Sequence, residues 1–256
     1  MLRVLFNIGR RTIGGLYQMG GMTIMLVNAL SWAFIPPLRI RNILKQMEFI
    51  GVKSVFIVIL TGAFTGGVLA LQSYYAFRKF GGESLLGATV ALSMTRELGP
   101  VLTALMITAR AGSSMAAELS AMRVTEQIDA LAVMAINPVK YLIVPRILAG
   151  IIVVPILTVM DDFVGIVGGY LVGVRLLGIN EGVFINKMVE LVELSDIFNG
   201  LFKSLCFGII LTLIGCYKGY NASGGAEGVG RATTEAVVIA SVSILVGDYI
   251  LTSLLF

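Results

Sequence analysis

The chain has 256 residues, of which 57% are hydrophobic and only 13% are charged, with a net charge of +4. Soluble domains carry about 25% charged and about 45–50% apolar residues, so this composition excludes an ordinary soluble protein and indicates an integral membrane protein. Basic residues crowd ahead of the first long apolar run, which favours a cytoplasmic N-terminus rather than nucleic-acid binding. They are Arg3, Arg10, Arg11, Arg39, Arg41, Lys45 and Lys53, against the single acid Glu48.

Side chains suited to catalysis or metal binding are scarce. The chain has no histidine, and its two cysteines, Cys206 and Cys216, fall in an apolar segment without forming a CxxC motif. The lack of histidine removes the commonest general base and the commonest metal ligand. The cysteines are typical of small buried hydrophobes rather than of a disulfide or a metal site. We therefore expect no metal and no other cofactor in this chain, and most membrane-embedded hydrolases and acyltransferases are disfavoured.

The first 50 residues are predicted to form a region of their own, distinct from a membrane domain over residues 51–256. On a helical wheel the apolar and the basic residues occupy opposite halves, a pattern typical of a helix lying in the membrane interface. The apolar half holds Leu2, Leu5, Phe6, Ile13, Leu16 and Tyr17, and the polar half holds Arg3, Asn7, Arg10 and Arg11. The next stretch, MTIMLVNALSWAFIPPL, ends at two prolines and either lies flat or dips partway into the bilayer.

Five segments are apolar enough to span a membrane, which takes about 20 residues of helix. They cover about 53–77, 85–110, 144–174, 198–219 and 235–256. The first contains GAFTGG, whose small residues predict close packing between helices. The fold class is therefore an all-α integral membrane protein with an N-terminal interfacial helix and five transmembrane helices. With the N-terminus in the cytoplasm, five crossings place the C-terminus on the opposite face.

The connections between the spans also carry patterns. The cytoplasmic stretch at about 115–136 has helical propensity until Asn137-Pro138 stops it, with an apolar stripe at Val124, Ile128, Leu131 and Ala135. On the far side, a short amphipathic helix is predicted at about 180–195. The last connection contains GGAEGVGR, which superficially resembles a phosphate-binding loop. Because no GxxxxGK[ST] motif occurs and no strand precedes it, it indicates nucleotide binding only weakly.

Charged residues inside the spans are the strongest functional signal. Each Arg, Lys or Asp at the centre of a spanning helix costs about 2.5–3.5 kcal/mol, yet Arg96 and Glu97 stand side by side in the second span. Pro100 follows, and a proline there lacks an N–H and pushes against the carbonyl of residue 96, which predicts a kink beside the charges. Two interpretations stay open. The pair lines a substrate-facing polar cavity, or it forms a structural ion pair with Lys203, Asp161, Asp162 or Asp248.

Other charges in the spans allow two readings as well. Lys203 is either a lysine whose ammonium reaches toward the membrane surface or a cation for an anionic headgroup. Asp161 and Asp162 interrupt the third span, where polar contact between helices and a part in transport are equally good explanations.

The run RELGPVLTALMITARAGSSMAAELSAMRVTEQIDALAVMAINPVKYLIVPR, residues 96–146, closely resembles the MlaE-type permease family, and GVGRATTEAVV at 228–238 is similar to the same family's last loop and span. The resemblance covers roughly residues 50–256. It implies a homodimeric permease in the bacterial inner membrane that belongs to an ABC transporter. The partners implied are a dimer of cytoplasmic ATP-binding subunits, a periplasmic hexamer of an MCE protein and, in some systems, a STAS-domain protein. Such transporters move phospholipids between the inner membrane and the outer envelope.

The resemblance also assigns roles to residues. The family's coupling helix corresponds to residues 115–136, with Glu126, and beside it Arg123 and Gln127, as contacts to the ATPase. Its lipid cavity lies at the dimer interface, where its polar residues correspond to Arg96, Glu97 and Lys203. Further cavity positions correspond to Leu69, Tyr74 and Leu98. The pair Asp161-Asp162 is not part of the family's motif.

Two other classes of function compete with a lipid permease. A membrane enzyme acting on lipids is disfavoured because histidine and paired catalytic motifs are lacking. A passive channel or a secondary carrier predicts flux that follows an ion gradient and ignores ATP. The lack of an internal repeat weakens the interpretation as an inverted-repeat carrier.

Overall fold

The computed structural model describes residues 2–36 and 39–255, with side chains from residue 13 onward. Within these residues the chain is helical and contains no strand. The helices are α1 (Leu2–Ala33), α2 (Ile40–Ile50), α3 (Val55–Arg78), α4 (Leu86–Ser93), α5 (Gly99–Ile107), α6 (Ser113–Val124), α7 (Gln127–Val133), α8 (Val144–Tyr170), α9 (Glu181–Leu191), α10 (Leu194–Tyr220) and α11 (Gly225–Leu255).

Short 3₁₀ and π turns join several of these helices end to end, so that five helical segments in the described part of the chain are long and apolar enough to cross a membrane. They are Ile40–Arg78, Glu83–Val124, Val139–Leu176, Leu194–Tyr220 and Gly225–Leu255. The predicted number and order of spans, and the all-α membrane fold, are confirmed. The first helical segment begins earlier than the expected span, because Gly51 and the 3₁₀ turn Val52–Ser54 join α2 to α3.

The N-terminal helix α1 is one continuous helix of 32 residues. Its second half packs on the bundle, where Met25 and Ala29 are buried against Ile143 and Cys216. On its first half, Ile13, Leu16 and Tyr17 are exposed. The predicted basic face and the rest of the apolar face lie on residues 2–12, outside the described side chains.

The core is organised around α8, which packs closely on α3 through glycines. A Cβ atom built on Gly66 would lie 1.8 Å from the carbonyl oxygen of Gly165, and one on Gly168 would lie 2.3 Å from that of Ala63. These backbones therefore touch with no room for a side chain, which is the packing predicted from GAFTGG.

The connection between the second and third spans differs from the single helix expected over 115–136. Helix α6 ends at Val124, and α7 begins at Gln127 after Glu126, whose φ is +59°. The bend brings Ile128 into the apolar cluster that also contains Leu119 and Ile143. Near the predicted 180–195 the structure has α9, whose start is capped by the Asn180 side chain accepting from the Val183 N–H at 3.3 Å.

Candidate functional site

Arg96 and Glu97 lie in a π-helical turn, Met94–Leu98, between α4 and α5. Pro100 lies two residues after this turn and has no N–H to donate to the preceding turn. The carbonyl oxygen of Arg96 instead accepts a hydrogen bond from the ammonium of Lys203 at 3.0 Å. The irregularity predicted beside the charges is therefore present as a π turn, and the carbonyl of Arg96 in this turn accepts a hydrogen bond from a residue of another span.

Lys203 is fully buried on α10 and is surrounded by oxygens. Besides the Arg96 carbonyl, its Nζ lies 2.7 Å from Glu97 Oε2, 3.2 Å from Asp248 Oδ1 and 2.7 Å from Thr252 Oγ1. The Thr252 hydroxyl also lies 3.2 Å from both carboxylate oxygens of Glu97. These contacts tie the second, fourth and fifth spans together. We call Glu97, Lys203, Asp248 and Thr252 the lysine cluster.

In the lysine cluster the cation is buried, whereas the carboxylate of Glu97 is partly exposed. The Lys203 side chain has no exposed surface, whereas that of Glu97 is 37% exposed. Arg96, next to Glu97, bonds in the other direction, with its Nε and Nη2 both 2.7 Å from Asp196 Oδ1 at the start of α10. The Arg96 side chain is 38% exposed while Asp196 is buried. Two charged groups of opposite sign thus reach the surface of this single chain within a membrane-spanning segment.

Two of the four partners considered for the Arg96–Glu97 pair, Lys203 and Asp248, are found in the cluster. Asp161 and Asp162 are not part of the cluster; from α8 they lie against Gly62 of α3 and against Gly99, the first residue after the π turn, respectively. Within the described part of the chain, both carboxylate oxygens of Asp161 and Oδ1 of Asp162 have no hydrogen-bond partner.

Sequence reasoning missed Asp196 and Thr252. Asp196 belongs to a capping box at the start of α10, in which its side chain accepts from the Glu193 N–H at 3.1 Å. A Glu-x-x-Asp pattern just before an apolar run resembles the capping box and could have drawn attention to it. Thr252 lies four residues after Asp248, on the same face of a helix, but a threonine in an apolar segment carries no such signal.

The apolar residues assigned to the cavity lie in a separate cluster beside the π turn. Leu69, Tyr74 and Leu98 pack around buried Ala70, Leu86, Val90, Met94 and Phe184. Met94 and Leu98 are the two ends of the turn that carries Arg96 and Glu97. The structure therefore brings apolar side chains from α3 and α4 next to the charged turn.

The three residues assigned to ATPase contact lie together at the bend between α6 and α7. Glu126 occupies the left-handed conformation between the helices, and Gln127 begins α7. Arg123, at the end of α6, bonds to Asp129 at 2.6 Å across the bend. Glu126 and Gln127 are exposed. We call residues 123–129 the α6–α7 elbow.

Fold and site together define a multi-pass helical membrane protein with a charge cluster held between its spans. The family model described as "Permease MlaE" matches residues 43–254. The chain belongs to the MlaE permease family.

Proteins from distant organisms are similar over most of this chain. A "Probable ABC transporter permease protein" of Rickettsia felis is 44% identical over 256 residues, covering 100% of this chain and 99% of its own length. The "Intermembrane phospholipid transport system permease protein MlaE" of Haemophilus influenzae is 41% identical over 254 residues, covering 97% of this chain and 96% of its own. "Protein TRIGALACTOSYLDIACYLGLYCEROL 1, chloroplastic" of Arabidopsis thaliana is 38% identical over 216 residues, covering 84% and 62%.

Proposed function

We propose that this chain is the permease subunit of an ABC transporter that moves phospholipids between a bacterial inner membrane and the outer envelope. ATP is hydrolysed by a separate pair of ATP-binding subunits, and lipid passes through a periplasmic MCE protein, arranged as a hexamer. Some transporters of this kind also include a STAS-domain protein. The Haemophilus influenzae relative, whose name states intermembrane phospholipid transport, supports this substrate class.

The observation that carries the proposal is the exposure of Arg96 and Glu97 inside a span. Both side chains keep more than a third of their surface accessible in the single chain. Charged groups facing lipid tails are costly, and such residues normally face a protein interior or a polar cavity. A second copy of the chain packed on this face would enclose them in a cavity at the dimer interface.

The chemistry of that cavity suits a phospholipid. The guanidinium of Arg96 donates to the lipid phosphate, as planar guanidinium groups do well. Glu97 lies beside it and limits how tightly an anion is held, which a transporter that must release its cargo requires. Leu69, Tyr74 and Leu98 supply apolar surface next to the π turn for the acyl chains. Lys203 holds Glu97 in place from inside the bundle and adds positive charge behind it.

The α6–α7 elbow is the proposed handle for the ATPase. Its polar residues Glu126 and Gln127 are exposed, it directly continues the second span through α6, and the salt bridge between Arg123 and Asp129 spans its bend. Movement of the ATP-binding subunits is thereby passed to the π turns of that span. Glu126→Arg is expected to leave the dimer folded while weakening co-purification of the ATPase. Unchanged co-purification of the ATPase would mean that the elbow does not contact it.

The first test is mass spectrometry of what co-purifies with a tagged copy from its native membrane in mild detergent. We expect an ATP-binding protein, an MCE protein and stoichiometric phospholipid. Arg96→Ala should lower the bound lipid without disturbing assembly, and Arg175→Ala, which changes an arginine outside the cluster, should leave it unchanged. A chain that emerges alone, without ATPase or lipid, contradicts the proposal.

A channel or secondary carrier is the competing function, and transport in vesicles separates the two. Lipid transfer that stops when the Walker motif of the ATP-binding partner is changed supports the permease. Flux that follows an ion gradient and persists without ATP supports the carrier.

A further inference from the structure

Two adjoining cavities lie where the end of α10 and the start of α11 meet α1. The first has a volume of about 440 Å³ and is lined by Lys218, Arg231 and Glu235 among others. The second has a volume of about 460 Å³ and is lined by apolar side chains such as Ile24, Met25 and Val139. Tyr17, Tyr217 and Asn221 belong to both linings, so the cavities are neighbours.

The first cavity carries an excess of positive charge. The buried ammonium of Lys218 donates to Gln18 Oε1 and to Glu235 Oε2, both at 2.9 Å, and has a third N–H besides. Arg231 donates from Nε to Glu235 Oε1 at 3.0 Å, and its side chain is 81% exposed, which leaves its Nη groups accessible. Two cations thus face one carboxylate.

The glycine-rich connection GGAEGVGR forms part of the same wall. Gly228, in the first turn of α11, lines the cavity, and a Cβ atom there would lie 2.0 Å from the Ser223 carbonyl oxygen. The backbone N–H groups of a first helical turn add positive potential, which the acidic Glu227 in the same turn partly offsets. The polar cavity is therefore suited to an anion held mainly by the side chains of Lys218 and Arg231.

The second cavity extends from this anion site along α1, between Tyr17 and Asn28. Its lining is mostly apolar and aromatic, with Tyr17, Tyr217 and Tyr220 beside Ile24 and Met25, and includes the polar side chains of Asn28 and Asn221. A ligand that fills both cavities needs a negative head and an apolar body.

We propose that the two cavities together bind one phospholipid. Its phosphate lies between Lys218 and Arg231, and the part of its acyl chains nearest the headgroup lies along Ile24 and Met25. This site is separate from the lysine cluster. Lys218 lies fifteen residues after Lys203 on α10, which is roughly 22 Å along the helix axis. The two lipid sites would therefore lie near opposite faces of the membrane.

Fluorescence of Trp32 gives a direct test, because it is the only tryptophan in the chain. It lies on α1 one turn beyond Asn28, which lines the second cavity. Brominated phosphatidylglycerol quenches tryptophan on contact, so titrating it into the full chain in mild detergent should give saturable quenching. Detergent, which carries no bromine, is present in excess so that non-specific contact between brominated lipid and the protein surface is diluted.

Variants report on each cavity separately. Arg231→Gln should raise the half-quenching lipid concentration about tenfold, as expected for a lost charge-assisted hydrogen bond. Its exposure makes misfolding no concern. Gly20→Leu should abolish saturable quenching, since Gly20 lines the second cavity and a Cβ atom there meets nothing within 4 Å. The controls are Arg41→Gln and Gly15→Leu, which change an exposed arginine and an unobstructed α1 glycine outside both linings and should behave as the unchanged protein.

The proposal is overturned if Arg231→Gln matches Arg41→Gln and Gly20→Leu matches Gly15→Leu. Inorganic phosphate separates a lipid from a free anion: it should leave the quenching unchanged at concentrations where unbrominated phosphatidylglycerol competes. Phosphate that competes equally well assigns the site to a free anion and overturns the lipid assignment. Neither the ATPase nor the lysine cluster enters this test, so it can fail or succeed independently of the transport function.

Discussion

Lys203 shows how a single charge is accommodated among membrane-spanning helices. Burying an ammonium ion costs several kcal/mol unless partners compensate it. Four oxygens do so here, and two of them belong to carboxylates. Because Glu97 and Asp248 reach the surface while Lys203 does not, the cluster encloses its cation and leaves carboxylates available for interaction.

Lys203→Ala is expected to destabilise the protein more than Arg96→Ala. Removing Lys203 leaves two carboxylates without their cation and the Arg96 carbonyl without a donor, which should cost about 3 kcal/mol. Removing Arg96 leaves Asp196 its bond to the Glu193 N–H and should cost about 1–2 kcal/mol. Thermal denaturation in detergent measures both. Little or no loss of stability in Lys203→Ala would mean that the lysine cluster does not hold the spans together.

At this scale the sequence indicated Arg96, Glu97 and Lys203 because charges in an apolar run are conspicuous. It did not indicate which charge meets which. Adjacent residues on a helix point about 100° apart, so Arg96 and Glu97 find partners on different parts of the protein, Asp196 and Lys203. That choice depends on how α5, α10 and α11 are rotated against one another, which only tertiary packing decides.

At the scale of helices, the contact between α3 and α8 depends on glycines whose backbones touch. Carbonyl oxygens of one helix fill the space where the other would carry Cβ atoms, as at Gly66 and Gly168. Without a hydrophobic driving force between helices in lipid, such close approach is a main source of stability.

Gly66→Ala should therefore destabilise the fold by about 2–3 kcal/mol, since its methyl group would overlap the Gly165 backbone. The neighbouring Gly67→Ala is the matched control. A Cβ atom there meets the Val172 side chain at 3.3 Å, which a small shift relieves, so the loss should stay below about 1 kcal/mol. Similar melting temperatures for the two variants would contradict tight packing of α3 on α8.

The α6–α7 elbow stores backbone strain at Glu126, one of two non-glycine residues with positive φ in the described chain, the other being Ala135. Replacing either by glycine should stabilise the protein by about 0.5–1 kcal/mol. Only Glu126→Gly removes the charge proposed to contact the ATPase. We therefore expect both variants to melt at higher temperature, but only Glu126→Gly to lose ATPase in co-purification. If both variants lose the ATPase, or if neither does, the charge of Glu126 does not contribute to the ATPase contact.

Hydropathy predicted the five spans because a run of about 20 apolar residues is enough to identify a membrane-spanning helix. Pro100 predicted an irregularity beside Arg96 but not its form as the π turn Met94–Leu98, and the π turn Thr108–Gly112 has no proline to mark it in the sequence. The break in the stretch 115–136 was missed because Val124, Ile128, Leu131 and Ala135 fit one continuous helical stripe. The chain bends instead, and so buries Ile128 while Val124 stays exposed.

At the scale of the whole molecule, the basic residues outside the centres of the five spans are distributed unequally between the two faces of the membrane. The face that receives the ends of the second and fourth spans carries more basic residues than the other. On that face lie Arg39, Arg41, Lys45, Lys53, Arg123, Lys140, Lys218 and Arg231, against Arg78, Lys79, Arg175 and Lys187 on the opposite face. Positive charge is retained in the cytoplasm, so we predict that the elbow and the second lipid site face the cytoplasm and that α9 faces the periplasm.

Cysteine labelling tests this orientation in intact cells. In a background where Cys206 and Cys216 are replaced by alanine, Ser195→Cys exposes a thiol at the start of α10, and Ser223→Cys exposes one in the connection to α11; both serines are exposed. A maleimide that crosses the outer but not the inner membrane should modify the first variant directly, and the second only after the inner membrane is permeabilised. The reverse pattern would place the elbow in the periplasm, where no ATP is available. It would therefore contradict both the orientation and the proposed coupling to an ATPase, while leaving the lysine cluster and its contacts untouched.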